Sequence, residues 1–203
     1  MKRFSFLLGT LFFISSSYAQ TAETDSVSVS PAQALYASAE DAYANYFVQK
    51  EDPAANKDQL YQLLMDCFTN YVKCMEEVDE TQQADMKEKL RRLRPEFEMA
   101  GIEYSSKGNN KTAYKFLECY LNIPTLPLFE GERFPEGEQY PAYVFLVAAE
   151  SHNARDYESA VSFLHEYIEL GEKRNQQTCY EFLAADLELL NRFDEEMTVL
   201  DEG

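Results

Sequence analysis

A chain of 203 residues carries 36 Asp and Glu against 18 Lys and Arg, a formal net charge of −18. Phosphate binding needs a basic footprint, so nucleic acid is excluded as a partner. With 45% hydrophobic residues, 14 Tyr and 14 Phe, the chain can still bury a core, and its length suits one elongated domain.

The chain opens MKRFSFLLGTLFFISSSYAQ. Lys2 and Arg3 precede an apolar run from Phe4 to Ile14, and the small residues Ser17 and Ala19 follow it, the order of a secretory signal peptide cleaved before Gln20. A membrane-spanning helix needs about 20 apolar residues, more than this run provides. Residues 1–19 are therefore expected to be a signal peptide, and the mature chain to be exported to a periplasm or the cell exterior, with no membrane span after cleavage. Residues 20–30, QTAETDSVSVS, are small and polar without helical period, the mark of a flexible lead-in.

Helical signals begin at Ser30-Pro31, where a capping hydroxyl precedes a proline and Gln33 completes a capping-box pattern. Leu35, Ala39, Tyr43, Tyr46 and Phe47 keep helical spacing until Asp52-Pro53 stops the run. Leu60, Leu64, Cys67, Phe68, Tyr71, Met75 and Val78 follow steps of four and three, so residues 31–78 read as a helical hairpin. Met86, Leu90, Leu93, Phe97, Ala100 and Tyr104 carry the same period across Pro95, which either kinks one helix or separates two. No segment sustains a two-residue alternation, so strands are not expected.

Cys67 and Cys74 stand seven apart on one helix, about 10 Å along its axis, beyond the roughly 7 Å that a disulfide bridges. Cys119 and Cys179 fall on apolar helical faces and read either as small buried hydrophobes or as ends of a disulfide between distant helices.

Three later stretches repeat one theme: AGIEYSSKGNNKTAYKFLECYL, AAESHNARDYESAVSFLHEYI and LAADLELLNRFDEEMTVLDEG. In each, a small residue (Gly101, Ala148, Ala184) sits where one helix presses on the next. Ala113, Ala160 or Glu196 follows twelve residues later, and Leu117, Leu164 or Leu200 four beyond that. The small residues are 47 and 36 apart, against about 34 for a regular tetratricopeptide array. On these residues the chain resembles the tetratricopeptide-repeat family over roughly 95–203, with 31–78 as a divergent extra repeat. The resemblance implies an all-α fold of hairpins stacked as a short right-handed solenoid, with hairpins at about 31–78, 83–123, 139–171 and 175–203 and an inserted loop at 124–138. The last repeat departs from the pattern, because Glu196 replaces the small residue.

The resemblance also implies a concave face lined by Glu98, Ile102 and Ser105, then Phe145, Ala149 and His152, then Glu181, Ala185 and Glu188. That lining is apolar and acidic, so it would suit a basic or apolar protein segment better than an acidic one. Phe129 and Phe134, in the loop PTLPLFEGERFPEGE, either pack back on the helices or form a flap over the groove. MKEKLRRLR is the one basic cluster; it either meets a membrane surface or acidic partner, or pairs with the chain's own acids.

Enzymatic constellations are missing: there is no Gly-rich phosphate loop, Gly-x-Ser-x-Gly, Cys-x-x-Cys or His-Glu-x-x-His. His152 and His165 are the two histidines, too few for a convincing metal site even with Glu169 near His165. The expectation is an exported bacterial scaffold or adaptor without cofactor, metal or catalytic residues, binding a protein through the concave face. Its alternative is a chaperone-like or envelope-assembly component holding extended client segments. Oligomeric state stays open.

Overall fold

The computed structural model describes residues 29–132 and 139–202. The expected signal peptide, most of the lead-in and Phe134 lie outside the described residues. The fold is all-α: α1 (Pro31–Lys50), α2 (Lys57–Cys74), α3 (Glu80–Ser106), α4 (Asn110–Asn122), α5 (Tyr140–Asn153), α6 (Tyr157–Glu169), α7 (Gln176–Leu189) and α8 (Phe193–Glu202). Two short 3-10 turns, Ile123–Thr125 and Pro127–Phe129, follow α4, and no strand occurs among the described residues.

Side-chain caps start most of these helices by satisfying N–H groups that have no partner within the helix. Ser30 Oγ accepts from Gln33 N at 3.2 Å, and Asn56 Oδ1 accepts from Asp58 N and Gln59 N at 3.0 and 3.2 Å. Asp79 and Gln82 form a reciprocal capping box, and Asn109 and Asp156 cap α4 and α6. Pro95 neither ends nor divides α3, which runs through it from Glu80 to Ser106. Its ring lies on the exposed face, where water can satisfy the carbonyl that the missing N–H releases.

Consecutive helices pack as pairs: α1 on α2, α3 on α4, α5 on α6, α7 on α8. The second helix of one pair then packs on the first of the next, α4 on α5 and α6 on α7, with a slighter contact from α2 to α3. One apolar core runs through the pairs, from Tyr46, Leu64 and Tyr71 through Phe97 and Leu117 to Leu164, Leu183 and Leu187.

Three of the four hairpins share one backbone turn. Asn109 N donates to Tyr104 O at 3.0 Å, Asp156 N to Ser151 O at 2.9 Å and Arg192 N to Leu187 O at 2.9 Å. The residue before each donor, Gly108, Arg155 or Asn191, is left-handed with φ of 71°, 62° and 58°. That is the Schellman ending of a helix. These positions are spaced by 47 and 36, as Gly101, Ala148 and Ala184 are, so turn and helix crossing repeat in one register.

Candidate binding surface

The first helices of the pairs are stitched side by side by hydrogen bonds. From α1 to α3, the Gln33 and Gln82 amides bond reciprocally at 2.8 and 3.0 Å, Tyr36 donates to Asp85 at 2.8 Å, and Tyr46 donates to Glu96 at 2.7 Å. Both partners advance along their helices together, so α1 and α3 run parallel. From α5 to α3, Tyr143 donates to Glu98 and Glu150 accepts from Ser105 Oγ at 2.5 Å; from α5 to α7, His152 Nδ1 lies 2.7 Å from Asp186 Oδ1.

Tyrosine and carboxylate together form the recurring joint. Tyr61 donates to Glu103 at 2.6 Å, Tyr104 to Asp58 at 2.7 Å and Tyr71 to Glu40; Tyr114 and Tyr140 reach Asp156 and Glu166. A hydroxyl facing an ionised carboxylate makes a charge-assisted bond and is correspondingly reluctant to ionise. Burial, then the bond to Asp58, raises the Tyr104 hydroxyl to about 12. Eight of the 36 carboxylates are therefore structural, tied to tyrosines between helices.

The faces left over form an open stripe across the first helices. On α3 it carries Met99 and Ile102, 51% and 46% exposed; on α5 it carries Leu146 and Ala149, half-buried; on α7 it carries Glu181, Ala185 and Glu188, exposed. A cleft of about 360 Å³ opens beside Met99, between the α1–α2 turn and α3, with Leu60 and Tyr61 in its wall and Lys50, Lys57 and Glu103 around it.

Of the residues expected to line a groove, Ile102, Ala149, Glu181, Ala185 and Glu188 lie on this stripe. Glu98, Ser105 and His152 are turned sideways into the joints between first helices. Phe145 packs against Tyr167 of α6, their ring centroids 5.2 Å apart and their planes tilted by 49°. The physical reason is lateral: at 100° per residue Glu98 and Ser105 lie on the flank of α3 beyond Ile102, about 100° and 120° from Met99, where the side chains of α5 meet them. Met99, not singled out from the sequence, is more exposed than Ile102; its position three residues earlier on the same helical face was the available signal.

His152 stacks flat on Phe182, with centroids 4.2 Å apart and planes within 4°. Its partner Asp186 is fully buried, and its Oδ2 has no hydrogen-bond partner. Burial raises this carboxyl, while the bond from His152 opposes the rise.

Phe129 packs back on the helices, only 1% exposed. The Lys87 ammonium and the Arg91 guanidinium lie 5.7 and 5.5 Å from its ring centroid, and both cations also pair with Glu132. Lys87 first, then Arg91, hold the Glu132 carboxyl below its usual range. Lys89 pairs with Glu40 and Asp85, and Arg94 is buried over the Tyr120 ring, so the basic segment is engaged with the chain's own groups.

All four cysteines are free and buried. Burial lifts the Cys67 thiol to about 12 and that of Cys179 to about 11. Among the described residues no group of three or more His, Cys, Asp or Glu is arranged to hold a metal ion, and no helix is long and apolar enough to cross a membrane. Comparison with protein-family models, with curated proteins and with solved structures finds no match to this chain.

Proposed function

We propose that this chain is an exported scaffold or adaptor of the tetratricopeptide-repeat type, whose hairpins stack as a short right-handed solenoid and whose first-helix stripe is a concave face that holds a protein partner. The observation that carries the reading is the stitching of α1 to α3 to α5 to α7, parallel from α1 to α3 and from α3 to α5, which leaves a solvent-facing strip on α3, α5 and α7. The shared Schellman turn of the last three hairpins supports a repeat origin for the array. The N-terminal pattern of Lys2, Arg3 and the apolar run supports export.

Recognition and not catalysis fits the stripe, which combines apolar Met99 and Ile102 with acidic Glu181 and Glu188 and brings together no nucleophile and base. A partner segment with apolar side chains flanked by Lys or Arg suits it by shape and charge. The test uses the chain from Gln20 onward as bait in bacterial envelope extract, beside Met99→Glu with Ile102→Glu. Both sites are exposed, so the variant should keep the native circular dichroism spectrum. A partner then purified should bind the native chain and lose at least tenfold in affinity for the variant. Equal binding to both sinks the stripe as the working surface. Weak binding to many unrelated unfolded segments would replace the adaptor with a chaperone-like holder.

A further inference from the structure

The stripe across the first helices has an internal register. The bond from Ser105 to Glu150 joins residues 45 apart, and that between His152 and Asp186 joins residues 34 apart. Each falls two short of the repeat spacings of 47 and 36, so α5 meets α7 as α3 meets α5. From α1 to α3 the Gln33–Gln82 and Tyr36–Asp85 bonds join residues 49 apart, and the same step of two sets the spacing there at 51. Val48, Met99, Leu146 and Phe182 therefore hold one position on four successive first helices. Val48 and Met99 are 73% and 51% exposed, and Leu146 and Phe182 are half-buried.

This apolar row crosses a face without charge. On α3 the open face runs through positions 95, 99, 102 and 106, one helical stripe. With the equivalent four on α5 and four on α7 it comprises twelve positions, all exposed or half-buried. None of the twelve is Asp, Glu, Lys or Arg, in a chain of which 27% is charged. Loss of charge from an open surface marks the centre of a protein interface and not a solvated face. Glu181 and Glu188 take the flank positions of Glu98 and Ser105, at the edge of this face.

The spacing of the row selects the shape of its occupant. Packed helices lie about 8–10 Å apart, so the row offers one apolar side chain about every 10 Å. An α-helix laid across it presents the same face again after seven residues, an advance of about 10.5 Å. A β-strand repeats a face about every 7 Å, out of step with the row. A polyproline segment repeats about every 9 Å but docks on grooves lined with aromatic rings. The one aromatic of this row, Phe182, already has a face covered by His152.

We propose that the stripe takes an α-helix of a partner protein laid across α1, α3, α5 and α7, with one apolar residue per seven meeting Val48, Met99, Leu146 and Phe182 in turn. The proposal rests on the reading of the stripe as the working surface and adds the shape and direction of what lies there. The probe is a 22-residue synthetic peptide with Leu at every seventh position, Ala at the other positions of that face, and Gln with equal numbers of Lys and Glu elsewhere. One control scatters the leucines around the helix at unchanged composition, and a second sets Leu at every third position of a Pro-rich segment. Fluorescence anisotropy with the full chain should show saturable binding of the heptad peptide, at least tenfold tighter than of either control. Val48→Glu on α1 and Ala185→Glu on α7, both at exposed sites, should each weaken it at least fivefold with unchanged circular dichroism. Lys115→Glu on α4, a larger change of charge away from the stripe, should leave it within twofold. No binding of the heptad peptide, a control that binds as well, or an effect of only one of the two stripe substitutions overturns the crossing helix. If it is overturned while Met99→Glu with Ile102→Glu still releases a purified envelope partner, the stripe stands and its occupant is not a helix laid across it; if that variant also holds its partner, the stripe reading fails too.

Discussion

Gly101 is where the closest helix crossing can be tested quantitatively. A Cβ built on it would lie 2.5 Å from Leu117 Cγ, 2.8 Å from Leu117 Cδ2 and 3.2 Å from the Leu117 backbone nitrogen. Carbon atoms pack best at about 3.5–4.0 Å, so Cγ would have to retreat by about 1 Å. Cγ is the branch point of the side chain and not its free end, and Leu117 is fully buried, so there is no empty space to receive it. Overpacking costs about 1–3 kcal/mol, and a clash that reaches the branch carbon and the backbone nitrogen of a fully buried leucine takes the upper part of that range, about 2–3 kcal/mol. Replacing Gly by Ala inside a helix returns about 1 kcal/mol of propensity. Gly101→Ala should therefore destabilise by about 1–2 kcal/mol, lowering the urea midpoint by about 0.5–1 M for a slope near 2 kcal/mol per molar, read by circular dichroism at 222 nm. In a double-mutant cycle, Leu117→Ala should cost less in the Gly101→Ala background than alone, because the new methyl fills part of the cavity. A Gly101→Ala protein as stable as the native one, or two additive substitutions, would refute a tight crossing at this point.

Other outcomes follow from the same structure. The Tyr104 hydroxyl is raised to about 12 by burial and by its bond to Asp58, against an ordinary value of 10.0; the stabilisation is complete below pH 10 and is lost as pH rises through 12, so stability should fall in that window, and fall less steeply in Asp58→Asn, where the hydroxyl returns toward its ordinary value. His152→Phe keeps a ring to stack on Phe182 but removes the one partner of buried Asp186. It should cost about 1–3 kcal/mol at pH 7, and less at acid pH, where the carboxyl with its raised pKa is protonated. Arg155 occupies the left-handed position that Gly108 holds one repeat earlier, so Arg155→Gly should stabilise the protein by up to about 1 kcal/mol in urea melts. With the Cys67 thiol near 12 and that of Cys179 near 11, a thiol reagent at pH 8 should label the native protein far more slowly than the urea-unfolded chain. Comparable labelling rates would mean that the cysteine-bearing faces open readily.

The all-α class was legible because helical periodicity and capping chemistry are local. Ser30-Pro31, the steps from Leu60 to Val78, and the recurrence of Gly101, Ala148 and Ala184 each follow from which side chains share a face within one or two turns. Periodicity also separates the side of a helix that meets its own hairpin partner from the opposite side. It does not reveal what lies to the left and right, since those neighbours are 34 to 50 residues away in the chain.

Those lateral neighbours are what the tertiary structure decided. The family resemblance implies Glu98, Ser105 and His152 as groove residues, yet Tyr143, Glu150 and Asp186 claim them. Phe129 could have been a flap, but the cations at Lys87 and Arg91 draw it onto α3. Pro95 could have ended a helix; it stays inside one, on the exposed face of α3. The acid surplus was countable from the sequence, but its use as tyrosine-linked joints was not, because a hydrogen bond depends on two side chains meeting in space and composition records only that both exist.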